Sequence, residues 1–271
     1  MRPLRALLIA LAATVACATP AAADRVALDD EGSTIGVLPL GDATLDFDVT
    51  DSRYSVLARL SSSGLVSMFE RTRLVASAEG RIENGQVRWE RYDLDHHYSR
   101  KHRIIGMFPT AEGIAADINP TFRLWGEPPT SDAQRRASRD PLSSLVAMAV
   151  DVQRTRTCNA DYPTFDGRWH YMLQLRGGSR DRVDSGGYEG PALRCRMRYV
   201  PVAGFEAGDG GRRRIPEGDI WFALVEGASL APPVRIRLPM GVARAHIALA
   251  RWRRPSVEID TAESVATPPT P

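Results

Sequence analysis

Period-two alternation of apolar and polar residues recurs from about residue 45 onward, and it constrains the chain more than anything else in the sequence. Leu193, Cys195, Met197 and Tyr199 alternate with Arg194, Arg196 and Arg198. Tyr54, Val56, Ala58 and Leu60 alternate with Ser55, Leu57 and Arg59, and Trp169, Tyr171, Leu173 and Leu175 with His170, Met172, Gln174 and Arg176. Only an extended strand sends successive side chains to opposite faces, so such runs read as half-buried β-strands. Asn84-Gly85 sits between two β-type runs and tolerates the positive φ angles of a type I′ turn, predicting a hairpin. Its outgoing strand places Val87 and Trp89 on one face, Arg88 and Glu90 on the other. Extended chain continues through Val66 and Met68 towards Ala78, with further strands near 104–108, 114–118, 122–125, 220–225, 234–238 and 242–252. Gly177-Gly178 and Gly186-Gly187 are expected to bound a loop.

One helix interrupts the β pattern. Asp140 is a good N-cap, and Pro141 takes the first helical position, where its missing N–H costs nothing. Leu142, Leu145, Met148 and Ala149 then form a stripe that must be buried, most simply against a sheet. A sheet of about a dozen strands with one polar face curls, and its concave side must be filled. The expected fold is therefore mainly β: a large curved antiparallel sheet, a half-barrel or open barrel, with one short helix (141–153) on the concave side. The filler is that helix, a ligand, or both.

The first 23 residues read as an export signal. Arg2 and Arg5 form a basic start, residues 6–18 are small and apolar, and Ala21-Ala22-Ala23 supplies a cleavage site between Ala23 and Asp24. The apolar run is too short to cross a bilayer, which needs about 20 residues. Cys17, in Thr14-Val15-Ala16-Cys17, is a competing lipid-anchor site, but Thr14 stands where such signals favour leucine. The expected organisation is a signal peptide (1–23), a loosely held acidic extension (24–43), a single β domain (44–254) and a disordered tail (255–271). The expected address is periplasmic.

The chain carries 35 basic and 33 acidic residues; without Arg2 and Arg5 both counts are 33. That balance speaks against an electrostatic grip on nucleic acid or acidic membrane. Lys101 is the only lysine. After cleavage two cysteines remain, Cys158 and Cys195, 37 positions apart. In an oxidising compartment they are expected to form a disulfide, with a loop-closure contribution of about 4 kcal/mol at the upper end. The alternatives are two separate buried thiols or a metal pair, and no nearby histidine cluster completes a zinc set.

Several motifs in the later half resemble domain-of-unknown-function family 3108, a group of exported proteobacterial proteins. They are Asp140-Pro141-Leu142-Ser143-Ser144, Cys158 before Phe165-Asp166-Gly167-Arg168, Cys195 with Tyr199, Ala203-Gly204-Phe205, Ile220-Trp221, and Val234-Arg235-Ile236. The resemblance spans roughly residues 50–253. It implies a periplasmic protein of curved-sheet type, similar in outline to lipoprotein-carrier half-barrels, and no established activity.

Three clusters are candidate sites. Asp93-Leu94-Asp95-His96-His97, with His102 nearby, carries ligand-type side chains that could converge across a hairpin. Asp93, Asp95 and His97 share one strand face and His96 the other, and a solvated polar strand end is the preferred reading. Arg194, Arg196 and Arg198 could meet phosphate or lipid headgroups, but such alternation is more often a water-facing strand side. Trp89, Trp169, Trp221 and Trp252 could line a lipid or glycan cavity, with core packing as the default. Ser61-Ser62-Ser63-Gly64 has no nucleophile-elbow signature, and Gly208-Asp209-Gly210-Gly211 lacks a phosphate-loop context. No catalytic constellation, metal set or cofactor fingerprint emerges. The leading expectation is a non-enzymatic cell-envelope protein holding a lipid or other amphipathic small molecule. The alternatives are an envelope hydrolase or glycan-modifying enzyme using Asp93, Asp95 or His97, and an assembly protein acting through a sheet edge.

Overall fold

The computed structural model describes residues 24–34, 38–50, 52–62, 71–184, 187–208, 215–240 and 243–253, with side chains placed between 43 and 239. Residues 1–23 with Cys17 and the cleavage site, Val66, Met68, Ser63, Gly64, Gly186, 209–211 and the tail 255–271 lie outside the described residues, as does the Trp252 side chain.

Among the described residues, thirteen strands form one sheet. They are β1 (Asp24–Thr34), β2 (Leu38–Val49), β3 (Arg53–Ser62), β4 (Thr72–Glu83), β5 (Gln86–Tyr98), β6 (Lys101–Pro109), β7 (Ile114–Asn119), β8 (Ala160–Phe165), β9 (His170–Asp184), β10 (Glu189–Ala203), β11 (Gly218–Ala223), β12 (Pro233–Met240) and β13 (Ala243–Arg253). Every paired neighbour is antiparallel, and the order runs β7 through β1, then β13 down to β8. The first and last strands therefore pair with each other, leaving β7 and β8 as the two edges. The mainly β, antiparallel sheet with a short helix packed on it is as the alternation implied, and it is not a closed barrel.

Two helices lie in the connection between the edges, α1 (Asp132–Ala137) and α2 (Pro141–Thr155). Asp140 caps α2 as expected, its Oδ1 accepting from the Leu142 and Ser143 N–H groups at 2.9 Å each. The buried surface of α2 is wider than the expected stripe: Ser143, Ser144, Val146, Ala147, Met148, Ala149, Val150 and Val152 are all buried. Leu142 and Leu145 are only half-buried. This helix packs against β3, β4, β5 and β8, so it lies within the curve of the sheet. Its far end meets the 225–231 loop, where Gln153 Nε2 donates to the Val225 and Ala228 carbonyls and the Ala231 N–H donates to the Ala149 carbonyl.

Four expectations need correction. The expected extension (24–43) contains β1, and its residues 38–43 open β2; backbone ladders hold β1 between β2 and β13 without apolar alternation. The expected single helix has a second beside it, α1, nucleated by a capping box between Ser131 and Gln134. Residues 122–125 form no strand, since Pro120 ends β7 by lacking a ladder donor. Gly177-Gly178 is a bulge inside β9 rather than a loop boundary, and it faces Cys195, whereas the start of β9 beside Trp169 pairs with Ala203.

That bulge accommodates the Cys158–Cys195 disulfide, whose Cα atoms are 5.6 Å apart. A Cβ on Gly178 (φ +112°) would lie 3.3 Å from Cys158 Sγ. Both cysteines are fully buried.

Candidate ligand pocket

Strand register sorts the concave face of β2–β6 into rows. Phe47, Val56, Ala78, Tyr92 and Met107 are successive partners, and all are buried. One step along, Leu45, Ala58, Ala76, Leu94 and Ile105 form a second apolar row. In the third, Leu60 and Leu74 continue into His96 and Arg103. The fourth brings Thr72, Tyr98 and Lys101 together. Polarity thus rises row by row from the α2-filled interior towards one end of the sheet.

A cavity of about 690 Å³ opens along this gradient, within the size range of small-molecule sites. Its apolar wall includes Leu74, Ala76, Leu94 and Ile105, and Leu142 of α2 reaches it. Aromatic rings of Tyr92, Tyr98, Phe122, Trp169 and Tyr171 line the sides, and His96, Lys101, Arg103 and Arg168 contribute positive or ionisable nitrogen.

The basic residues have distinct attachments. Arg103 stacks its guanidinium 3.9 Å from the Phe122 ring centre and donates through Nε to the Pro120 carbonyl at 3.1 Å. Lys101 Nζ lies 5.8 Å from the Tyr98 ring centre. Among the described residues, neither has a carboxylate partner. Arg168 instead pairs with Glu206. Among the described residues, Asp166 is the one carboxylate on the wall; its Oδ1 accepts from the Arg168 and Trp169 N–H groups at 3.0 and 2.8 Å. Burial pushes its carboxyl up to about 6, against those backbone hydrogen bonds and the Arg168 charge, which pull it down.

The sequence candidates are dispersed around this pocket. Among the tryptophans whose side chains are described, Trp169 alone lines it. Trp89 is core, donating to the Ser138 carbonyl at 3.2 Å. Trp221 is also buried, covered by the guanidinium groups of Arg194, Arg235 and Arg237, and donates to Asp181 at 2.8 Å. Arg194 pairs with Asp219 at 2.8 Å and Arg196 with Glu217 at 3.0 Å, so those two members of the arginine stripe are neutralised where they stand. Ser62 Oγ accepts from the Thr72 N–H at 2.9 Å.

The Asp93–His97 segment splits by face. His96 lines the pocket. Asp93 is held by Arg91, with one contact at 2.8 Å. Asp95, His97 and His102 meet on the outside, Asp95 Oδ1 lying 3.1 Å from His97 Nε2 and 2.9 Å from His102 Nε2.

Lys101, Arg103, Phe122, Asp166 and Arg168 did not stand out in the sequence as pocket residues. One signal was present: the inward residues of β5 change parity, from Val87 and Trp89 to Tyr92, Leu94, His96 and Tyr98. A register shift pairs Gly80 with Trp89 but Glu79 with Arg91, so Glu90 is the extra residue that flips the strand.

No protein-family model matches this chain, and no curated protein matches it. Among solved structures, it is similar to a beta-barrel-like protein of domain of unknown function DUF1849 from Brucella abortus. The match has a TM-score of 0.54 at 8% identity and covers 87% of this chain and 100% of that one. At that identity the likeness concerns the fold alone.

Proposed function

We propose that this chain is a non-enzymatic protein of the periplasmic cell envelope that holds one anionic amphiphile. Its hydrocarbon part lies along the Leu74–Ala76–Leu94–Ile105 wall and its acidic head meets Lys101 and Arg103. The row-by-row gradient carries this reading, because it supplies an apolar trough ending in two cations that have no carboxylate partner among the described residues. Burying hydrocarbon there gains about 25 cal/mol per Å² removed from water, and charge-assisted hydrogen bonds favour an acidic head over a neutral one.

The export-type leader and the buried disulfide support the address, since such bridges persist in oxidising compartments. The motif resemblance to family 3108 agrees with both in outline. Among the described residues, no helix is long and apolar enough to cross a membrane. The hydrolase reading draws less support: Asp93 is engaged by Arg91, and Asp95 and His97 lie outside the pocket. An assembly role through a free edge fares no better, because Arg139 pairs along β8 and α1 packs against both edges.

The test is native mass spectrometry of protein exported with its own leader and purified without detergent. An adduct that solvent extraction identifies as an acidic amphiphile is expected. A bare mass, still bare after incubation with envelope lipid extract, would overturn the proposal.

A further inference from the structure

We propose that Asp95, His97 and His102 form a binding site for a divalent late first-row transition metal ion, Zn²⁺ or Cu²⁺, on the outer face of the β5–β6 hairpin. The inference is independent of the pocket, which occupies the other face. The hairpin register makes His97 and His102 direct cross-strand partners, and Asp95 precedes His97 by two residues on the same face. Three donors of the imidazole and carboxylate type are thus set on two adjacent, hydrogen-bonded strands.

The geometry is already close to a coordination set. The two imidazole rings stack with centres 3.8 Å apart and planes 11° from parallel. Both Nε2 atoms point at one oxygen, Asp95 Oδ1, at 3.1 and 2.9 Å, and all three donor atoms lie within 4.8 Å of one another. An ion about 2.1 Å from each donor separates neighbouring donors by roughly 3.0–3.5 Å. Two sides of the donor triangle are therefore at or close to that length, and a small rotation of either ring brings the third within reach.

Two imidazoles with one carboxylate suit zinc and copper, whereas magnesium and calcium take all-oxygen shells. Each side chain is close to half exposed, so a hydrated ion can enter and keep water in its remaining positions. Arg73 opposes it, being the register partner of His97 on β4.

Isothermal titration of the untagged chain with Zn²⁺ tests the site. One ion per chain is expected, with His97→Asn and His102→Asn each weakening binding at least about tenfold. His96→Asn, on the inner face, should stay within about twofold, and Arg73→Gln should tighten binding by removing a nearby positive charge. Cu²⁺ loaded at the same stoichiometry should show nitrogen hyperfine coupling from two imidazoles. Absence of a one-to-one event, or equal affinity in the His97→Asn and His102→Asn variants with unchanged circular dichroism, would overturn the proposal.

Discussion

The Tyr54 hydroxyl lies 2.7 Å from Ser143 Oγ, tying β3 to the first turn of α2 across 89 residues of sequence. Burial pushes the phenol well above its ordinary range, so it stays protonated at every relevant pH. Gly80 leaves room for the contact, since a Cβ there would sit 2.8 Å from the Tyr54 oxygen.

Breaking this contact leaves a buried hydroxyl without its partner. Tyr54→Phe and Ser143→Ala should each cost about 1–3 kcal/mol in urea unfolding, and the double variant should cost less than their sum. Strict additivity would show that the pair does not couple helix to sheet.

Cys195→Ser should lower stability by about 2–4 kcal/mol, with a matching loss when wild type is unfolded under reductant. Gly178→Ala should also destabilise, because its Cβ would press on Cys158 Sγ at a positive φ. Identical unfolding curves with and without reductant would count against a contribution from the bridge.

Acid should stabilise the folded chain over part of the range. Burial raises Asp140 and Asp166 to about 6 each, above an unfolded value near 3.9. A carboxyl raised on folding contributes stability that is complete below about pH 4 and lost as pH climbs through about 6. Each shift corresponds to about 2–3 kcal/mol across that window. Asp140→Asn keeps an oxygen for the Leu142 and Ser143 N–H groups but cannot ionise. The gap between wild type and Asp140→Asn, followed by urea unfolding from pH 4 to 7.5, should therefore move against wild type as pH rises. Parallel profiles would refute the assignment.

Head-group recognition has its own signature. Arg103→Glu combined with Lys101→Glu should weaken binding of a long-chain carboxylate by at least about tenfold, two charge-assisted contacts being lost. The corresponding long-chain alcohol should be affected far less. Equal losses for both would mean that the cations shape the pocket rather than read the head.

Local chemistry explains which parts were legible from sequence alone. Asn84-Gly85 turns with φ of 52° and 71°, and Asp140-Pro141 starts its helix where expected, because each needs only its immediate neighbours. The disulfide followed from counting the cysteines that remain once the first 23 residues are read as an export signal. What stayed hidden depends on register. The extra residue at Glu90 decides which β5 side chains face inward, and the Gly177-Gly178 bulge decides what Cys195 faces. Lys101 and Arg103 look like ordinary surface cations until the rows of neighbouring strands are aligned. β1 joins the sheet through β13, a partner about two hundred positions away that no local pattern names.

Ala76 stands in the middle of the apolar wall, between Ala58 and Leu94, and a phenylalanine there would fill the trough while leaving Lys101 and Arg103 in place. Equilibrium titration of delipidated wild type and Ala76→Phe with a fluorescent long-chain fatty acid is the most direct test. Saturable binding of one molecule per chain in wild type, abolished in a folded Ala76→Phe variant, is the predicted result. Equal affinity in the two proteins, or no saturable binding by wild type, would contradict it.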